Sequence, residues 1–288
     1  MRALVVGAGL GGLSAACHLS GRGHDVTVIE RDATPGGRAG TLALGGYRFD
    51  TGPTVLTMPS IIESTFAAAG ADMADFLALT PVEPIYRATF TDGSALAVRP
   101  GREAMAEEVR QVCGGTEARA FERFADWLTD LYALEMPAFI DRDYDSPLDL
   151  AGSLRPLLQL ARLGGLRKLS SKVAEFFRDD RLQRVFSFQS MYAGLAPYEA
   201  LALYGVITYM DTIAGVYHAD GGAHALGVAL ASAAEKAGAV LRYDSPVDRV
   251  VLRDGRSGAV EGVVLRSGER IAADAVVCNP DLPAVYRT

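Results

Sequence analysis

Asparagine occurs once in the 288-residue chain, at Asn279, tryptophan once, and lysine three times against 25 arginines. Cysteine is almost as scarce. Cys17, Cys113 and Cys278 are odd in number and far apart, so they supply neither a disulfide framework nor a metal-ligand cluster. They favour a reducing compartment. No run reaches the ~18 apolar residues of a membrane-spanning helix; residues 200–210, between Glu199 and Asp211, come nearest. The chain is therefore expected to be soluble or surface-bound. No targeting segment is read either, because Gly7, Gly9, Gly11 and Gly12 interrupt the apolar start. Positive charge is in deficit, with a formal net charge of −7, which argues against a surface built for nucleic acid. The four histidines, His18, His24, His218 and His224, form no hydrolytic constellation, and no acid or base is assigned.

Apolar residues are plentiful by contrast. At 49% hydrophobic and 22% charged, the chain has enough for a sizeable core and too much for disorder. Its length allows one large domain or two of medium size. Residues 1–57 alternate β-branched strands with glycine turns: a buried strand, a glycine loop, a helix, a second strand over 25–30, and a hairpin around Gly45-Gly46. A βαβ start implies a parallel sheet. Residues 58–214 carry helical periodicity, as in Phe121, Phe124, Leu128 and Leu131, broken by one hairpin around Asp92-Gly93. From 215 the first texture returns, with a helix to Lys236 and strands over 240–243, 247–252, 260–265 and 274–278. The expected architecture is α/β: a discontinuous Rossmann-like dinucleotide-binding domain, 1–57 plus 215–288, split by a mainly helical domain, 58–214.

Gly7-Ala8-Gly9-Leu10-Gly11-Gly12 places a GxGxxG pattern between a strand and a helix. The first glycine makes the tight turn, the second admits a pyrophosphate to the backbone, and the third lets helix and strand pack closely. Glu30 ends the second strand, 18 residues beyond Gly12, where a carboxylate accepts hydrogen bonds from an adenosine ribose. The competing reading is a plain strand-to-helix turn with Glu30 a solvated strand end; the placement of Glu30 disfavours it. A second cluster, Gly36-Gly37-Arg38, follows, and then Gly52-Pro53-Thr54. A nicotinamide dinucleotide needs no second glycine loop here, whereas an extended flavin does. A bland turn is the alternative for Gly36-Gly37.

The stretches VVGAGLGG, VIERDATPGGR and FDTGPTVLTMP between residues 5 and 59 resemble the bacterial phytoene desaturases, within the wider amine-oxidase-like group of FAD flavoproteins. KVAEFFRDDRLQRVFSFQS and MYAGLAPYEALALYGVITYMD, residues 172–211, resemble the carotenoid desaturase branch. The resemblance implies FAD as cofactor and a long apolar polyene, phytoene or a related carotenoid precursor, as substrate, desaturated by hydride transfer to the flavin. It implies that Gly7, Ala8, Gly9, Gly11 and Gly12 hold the pyrophosphate, and Glu30, with Arg31 beside it, the ribose. Gly36, Gly37 and Arg38 would run beneath the phosphates and ribityl chain, Gly52, Pro53 and Thr54 beside the flavin ring, and Val247 along the adenine. No metal is implied. Family members usually carry a Pro before the later Gly221-Gly222, where this chain has His218-Ala219-Asp220, and a Met soon after it, where Ala223 stands.

Family members continue well past the strand over 274–278, and their C-terminal part carries a Gly-Asp pair that this chain lacks. The expectation is therefore an N-terminal portion of the family fold. Three alternatives stand beside a desaturase: a truncated inactive remnant, half of a split enzyme with a C-terminal partner chain, or a carotenoid isomerase or other polyene oxidoreductase. Residues 154–184 carry eight basic side chains against three acidic ones, interleaved with leucines and Phe176-Phe177. Two readings are open, a solvated mixed-charge face and an interfacial helix pair on anionic lipid. With the second, the expected location is cytoplasmic and peripheral on the inner face of the membrane.

Overall fold

The computed structural model describes residues 1–143, 146, 154–253 and 258–285. From the N-terminus it runs β1 (Arg2–Val6), α1 (Leu10–Gly21), β2 (Asp25–Ile29), β3 (Thr41–Leu44), β4 (Tyr47–Asp50), α2 (Pro59–Ala68), β5 (Leu79–Pro81), β6 (Tyr86–Thr89), β7 (Ala95–Val98), α3 (Arg102–Cys113) and α4 (Gly115–Glu135). Then follow α5 (Leu154–Arg162), α6 (Leu169–Phe176), α7 (Asp180–Val185), α8 (Gly205–Thr208), β8 (Tyr217–Ala219), α9 (His224–Lys236), β9 (Val240–Arg242), β10 (Val247–Leu252), β11 (Val260–Leu265), β12 (Arg270–Ala272), β13 (Ala275–Cys278) and α10 (Leu282–Val285). The chain divides into two compact units, Met1–Thr80 with Tyr217–Thr288, and Pro81–Val216.

The first unit is built on a four-stranded parallel sheet in the order β13-β1-β2-β9. Because strand side chains alternate between faces, β1 divides its residues between two cores. Ala3 and Val5 join Leu13, Ala16 and Cys17 of α1 and Leu226, Leu230, Ala233 and Ala234 of α9. Leu4 joins Ile29, Val263, Leu265 and Ala273 on the opposite face. A three-stranded antiparallel sheet, β10-β11-β12, supplies that second cover. Helices therefore cover one face of the parallel sheet and strands the other.

The first boundary falls later than the expected 57/58. Residues 58–80 have helical texture, but they belong to the dinucleotide unit. Phe66 of α2 is fully buried in the same core as Leu13. A Cβ on Gly21 would stand 1.7 Å from the Ala68 carbonyl oxygen, so α1 and α2 touch backbone to backbone.

The second unit packs α3 to α8 around aromatic rings. Phe121, Phe124, Leu128 and Leu131, one stripe of α4, are completely buried. Phe124 lies within 5.1 to 5.6 Å, ring to ring, of Phe177, Phe176, Phe186 and Trp127. This corrects the expectation for Phe176-Phe177. Phe177 is 1% exposed and Phe176 packs on the same core, so neither ring belongs to an interfacial face. Much of the local positive charge is also paired internally: Arg167 and Lys172 with Glu175, Arg181 with Asp179, and Arg184 with Asp180. The exposed large apolar residues of the stretch are Leu154, Leu158 and Leu166. Among the described residues no helix is long and apolar enough to cross a membrane.

Candidate dinucleotide site

The switch point of the parallel sheet lies between β1 and β13. The chain leaves β1 toward α1 and β2 on one side, while β13 lies on the other. Open α/β sheets bind ligands in the crevice this reversal leaves beyond the carboxyl ends of the strands. The loop after β1 there is Gly7–Gly12, and the loop after β13 begins at Asn279.

Three loop glycines have three different physical reasons. Gly7 adopts φ +96°, which disfavours a side chain, and its N–H donates to the Ile29 carbonyl at 2.8 Å. Gly12 is a packing glycine: a Cβ there would stand 2.0 Å from the Gly7 carbonyl oxygen. Gly9 faces open space, its notional Cβ meeting only Asn279 Oδ1 at 3.6 Å. The position expected to admit a phosphate is thus the one without steric cover. A Cβ on Gly11 would meet Asn279 Nδ2 at 2.8 Å.

Glu30 is only 6% exposed. Its Oε2 accepts the Ala8 N–H at 2.6 Å and its Oε1 the Asp32 N–H at 2.9 Å, so the carboxylate ties the glycine loop to the turn after β2. An ionised carboxylate has about four acceptor positions, which leaves capacity for ribose hydroxyls. The turn between β9 and β10 lies against the same residue: Glu30 N–H donates to Arg242 O and Ser245 N–H to Glu30 O, each at 2.8 Å. Val247 starts β10 two residues later. Burial raises the Tyr243 phenol above its ordinary range, and the Glu235 and Glu30 carboxylates push in the same direction. Arg31 is exposed and pairs with its neighbour Asp32 at 3.6 Å.

Gly36 N–H donates to Ala8 O at 2.8 Å, which joins the second glycine cluster to the first. Gly36 and Gly37 both have positive φ, and a Cβ on Gly37 would stand 3.0 Å from Gly9 Cα. Gly52 closes on the same cluster, its notional Cβ lying 1.8 Å from Arg38 O. Pro53 and Thr54 are exposed beyond it. Gly7–Gly12, Glu30, Gly36–Arg38 and Gly52 are therefore contiguous in space.

Four further residues complete the surroundings and carry no local sequence signal. His224, 7% exposed, has Nδ1 at 2.9 Å from the Ala39 carbonyl, an acceptor to which it donates. Its ring lies 3.0 Å from where a Gly36 Cβ would stand. The Asp50 carboxylate accepts the Ala223 N–H at 3.2 Å. Asn279 Oδ1 accepts the Gly12 N–H at 2.9 Å, and Asp281 pairs with Arg38. The strand neighbouring β1 would have marked Asn279 and Asp281, but pairing partners are not readable from one strand alone. His18, within α1, and His218, exposed on β8, lie in none of these contacts.

An open space over Gly9, a buried carboxylate at the end of β2 and a second glycine turn beside the first fit an extended dinucleotide. The comparisons agree. Residues 10–288 match the flavin containing amine oxidoreductase family. A phytoene dehydrogenase of Streptomyces griseus is 52% identical over 284 residues, 99% of this chain and 55% of the relative. A zeta-carotene-forming phytoene desaturase of Myxococcus xanthus is 36% identical, over 99% of this chain and 54% of its own length. The chain thus spans about half the length of the curated relatives it matches. Among solved structures, putrescine oxidase superposes with a TM-score of 0.59 at 18% identity, covering 97% of this chain and 58% of the oxidase. The PF1083 protein of Pyrococcus furiosus gives 0.60 at 18% identity, over 99% and 60% of the two chains. The chain belongs to the flavin containing amine oxidoreductase family, and its cofactor is FAD.

Proposed function

We propose that this chain supplies the cofactor-binding portion of an FAD-dependent desaturase acting on phytoene or a related carotenoid precursor. The carrying observation is the 52% identity to a phytoene dehydrogenase over nearly the whole chain, together with the contiguous glycine clusters around Glu30. FAD, when bound, supplies the hydride acceptor that leaves a new double bond in the polyene. The protein's part is to hold and orient the cofactor. Gly7, Ala8, Gly9, Gly11 and Gly12 present backbone to the pyrophosphate, and Glu30 accepts from the ribose, with Arg31 exposed beside it. Gly36, Gly37 and Arg38 underlie the ribityl region, Gly52, Pro53 and Thr54 the ring, and Val247 the adenine. A long apolar substrate suits a chain that also meets a membrane surface. Exposed Leu154, Leu158 and Leu166, with Arg155 and Arg162 among them, supply the apolar and basic parts of such a face. A peripheral position on the inner face of the membrane follows from that reading.

The test is to incubate the purified chain with FAD and phytoene in anionic liposomes and to analyse the polyene by absorbance and chromatography. FAD binding by the chain supports the reading, and new conjugated double bonds with concomitant flavin bleaching would show that residues 1–288 also suffice for turnover. A product of changed geometry but unchanged hydrogen count assigns an isomerase instead. No FAD binding at all overturns it.

A further inference from the structure

The N-cap of helix α1 is a glycine, Gly9, which has no side chain to make a cap bond. The first-turn amides of such a helix still need partners. One of them, Gly12 N–H, is taken by a residue 267 positions away, Asn279, whose Oδ1 accepts it at 2.9 Å. The Asn279 backbone is held where this demands: its N–H donates to Val6 O at 3.0 Å, extending β13 along β1, and its carbonyl carbon lies 3.7 Å from the notional Gly7 Cβ. Pro280 follows and restricts the exit. The side chain thus lies across the mouth of the glycine loop. Oδ1 is 3.6 Å from the notional Cβ of Gly9, and Nδ2 is 2.8 Å from that of Gly11. Asn279 and Gly11 are exposed, so the amide nitrogen lies on the solvent side of the loop beside Gly11, while the amide oxygen borders the space over Gly9.

Resting on the FAD reading of this loop, we propose that Asn279 is a bifunctional positioning residue of the cofactor site. Its carbonyl end caps α1 and its amide end, beside Gly11, donates to the diphosphate where it passes that residue. The chemistry explains the residue type. A carboxylate would cap Gly12 as well as a carboxamide does, and would gain from the helix dipole. It would also set a negative charge against a diphosphate. Of the two, the carboxamide alone offers an acceptor to the helix and a donor to the anion. Arg38 is tied to the same loop through Asp281, so the β13–α10 connection reaches both glycine clusters.

Two variants separate the cap from the donor: Asn279→Asp keeps the first and reverses the second, while Asn279→Ala removes both. Apo-chain thermal unfolding reads the cap, and FAD titration by flavin fluorescence at low and high salt reads the donor. Asn279→Asp is expected to unfold at or above the wild-type temperature yet bind FAD at least tenfold more weakly, the deficit shrinking as salt screens the repulsion. Asn279→Ala is expected to unfold lower and to bind FAD roughly tenfold more weakly, the loss of one hydrogen bond to a charged group. Wild-type FAD affinity in Asn279→Asp reduces Asn279 to a helix cap and overturns the proposal. Should the aspartate variant not fold, unchanged FAD affinity in Asn279→Ala overturns it equally. A wild-type chain that does not bind FAD overturns the underlying site reading, independently of either variant.

Discussion

Glu30 Oε2 accepts the Ala8 N–H at 2.6 Å, so the carboxylate at the end of β2 is fastened to the glycine loop that leaves β1. This bond gives Glu30 a structural duty as well as the ribose contact proposed for it. Glu30→Gln is therefore expected to act on both. Its amide end would face the N–H of Ala8 or Asp32, donor against donor, and a buried unmatched donor costs about 1–3 kcal/mol. The unfolding temperature of the apo chain should fall, and FAD affinity should fall by roughly tenfold or more. Calorimetry and FAD titration check the two separately. An unchanged melting temperature would remove the structural duty, and unchanged affinity the ribose assignment.

The glycines of the loop are expected to separate by mechanism. Gly12→Ala drives a methyl into the Gly7 carbonyl, 2.0 Å away, and should destabilise the chain by several kcal/mol, in the range of severe overpacking. Gly9→Ala meets nothing closer than 3.6 Å and should melt near the wild-type temperature while losing FAD. Denaturant unfolding beside a binding titration distinguishes them, and equal destabilisation in both variants contradicts the assignment.

Stability should depend on two buried acids in the second unit. Burial pushes the Asp211 carboxyl up to about 6, against an opposing hydrogen bond from Tyr192, and pushes Glu135 up to about 8. Between its unfolded value near 3.8 and about 6, Asp211 binds more protons in the folded state than in the unfolded one. Its contribution is therefore full below about pH 4 and lost as pH rises through 6. Glu135 continues the loss up to about 8. Asp211→Asn should raise stability at pH 7 by about 1–3 kcal/mol relative to wild type and change little at pH 4. Thermal unfolding across this range is the measurement. A variant equally destabilised at every pH would show instead that the ionised carboxylate is what the fold holds.

Two changes within the basic stretch should behave oppositely. Phe177→Ala empties a site 1% exposed and should cost about 3–5 kcal/mol. Leu158→Gln alters a residue 53% exposed and should leave stability within about 0.5 kcal/mol. Only the second should weaken co-sedimentation with anionic vesicles at matched folding. Vesicle binding that Leu158→Gln leaves intact places the membrane face elsewhere.

The β1–α1–β2 unit was readable from the amino-acid order because its determinants are local. A strand of buried residues, a turn needing φ +96° at Gly7 and a helix that must approach within a glycine's reach all lie inside thirty residues. The stripe Phe121, Phe124, Leu128 and Leu131 was readable for the same reason, since its period is that of one helix. Tertiary structure decided what periodicity cannot carry. Helical texture places α2 in the second unit, but Phe66 buries its ring against Leu13 in the first. Phe176-Phe177 beside arginines has the pattern of a lipid-facing helix; the rings of Phe124 and Trp127 turn it into core. His224 reaches Ala39 across 185 residues and Asn279 reaches Gly12 across 267. Such contacts follow from strand order, β13 beside β1 and α9 against α1. Sequence sets what each strand and helix buries, but which of them become neighbours is settled only when all the apolar faces are covered at once.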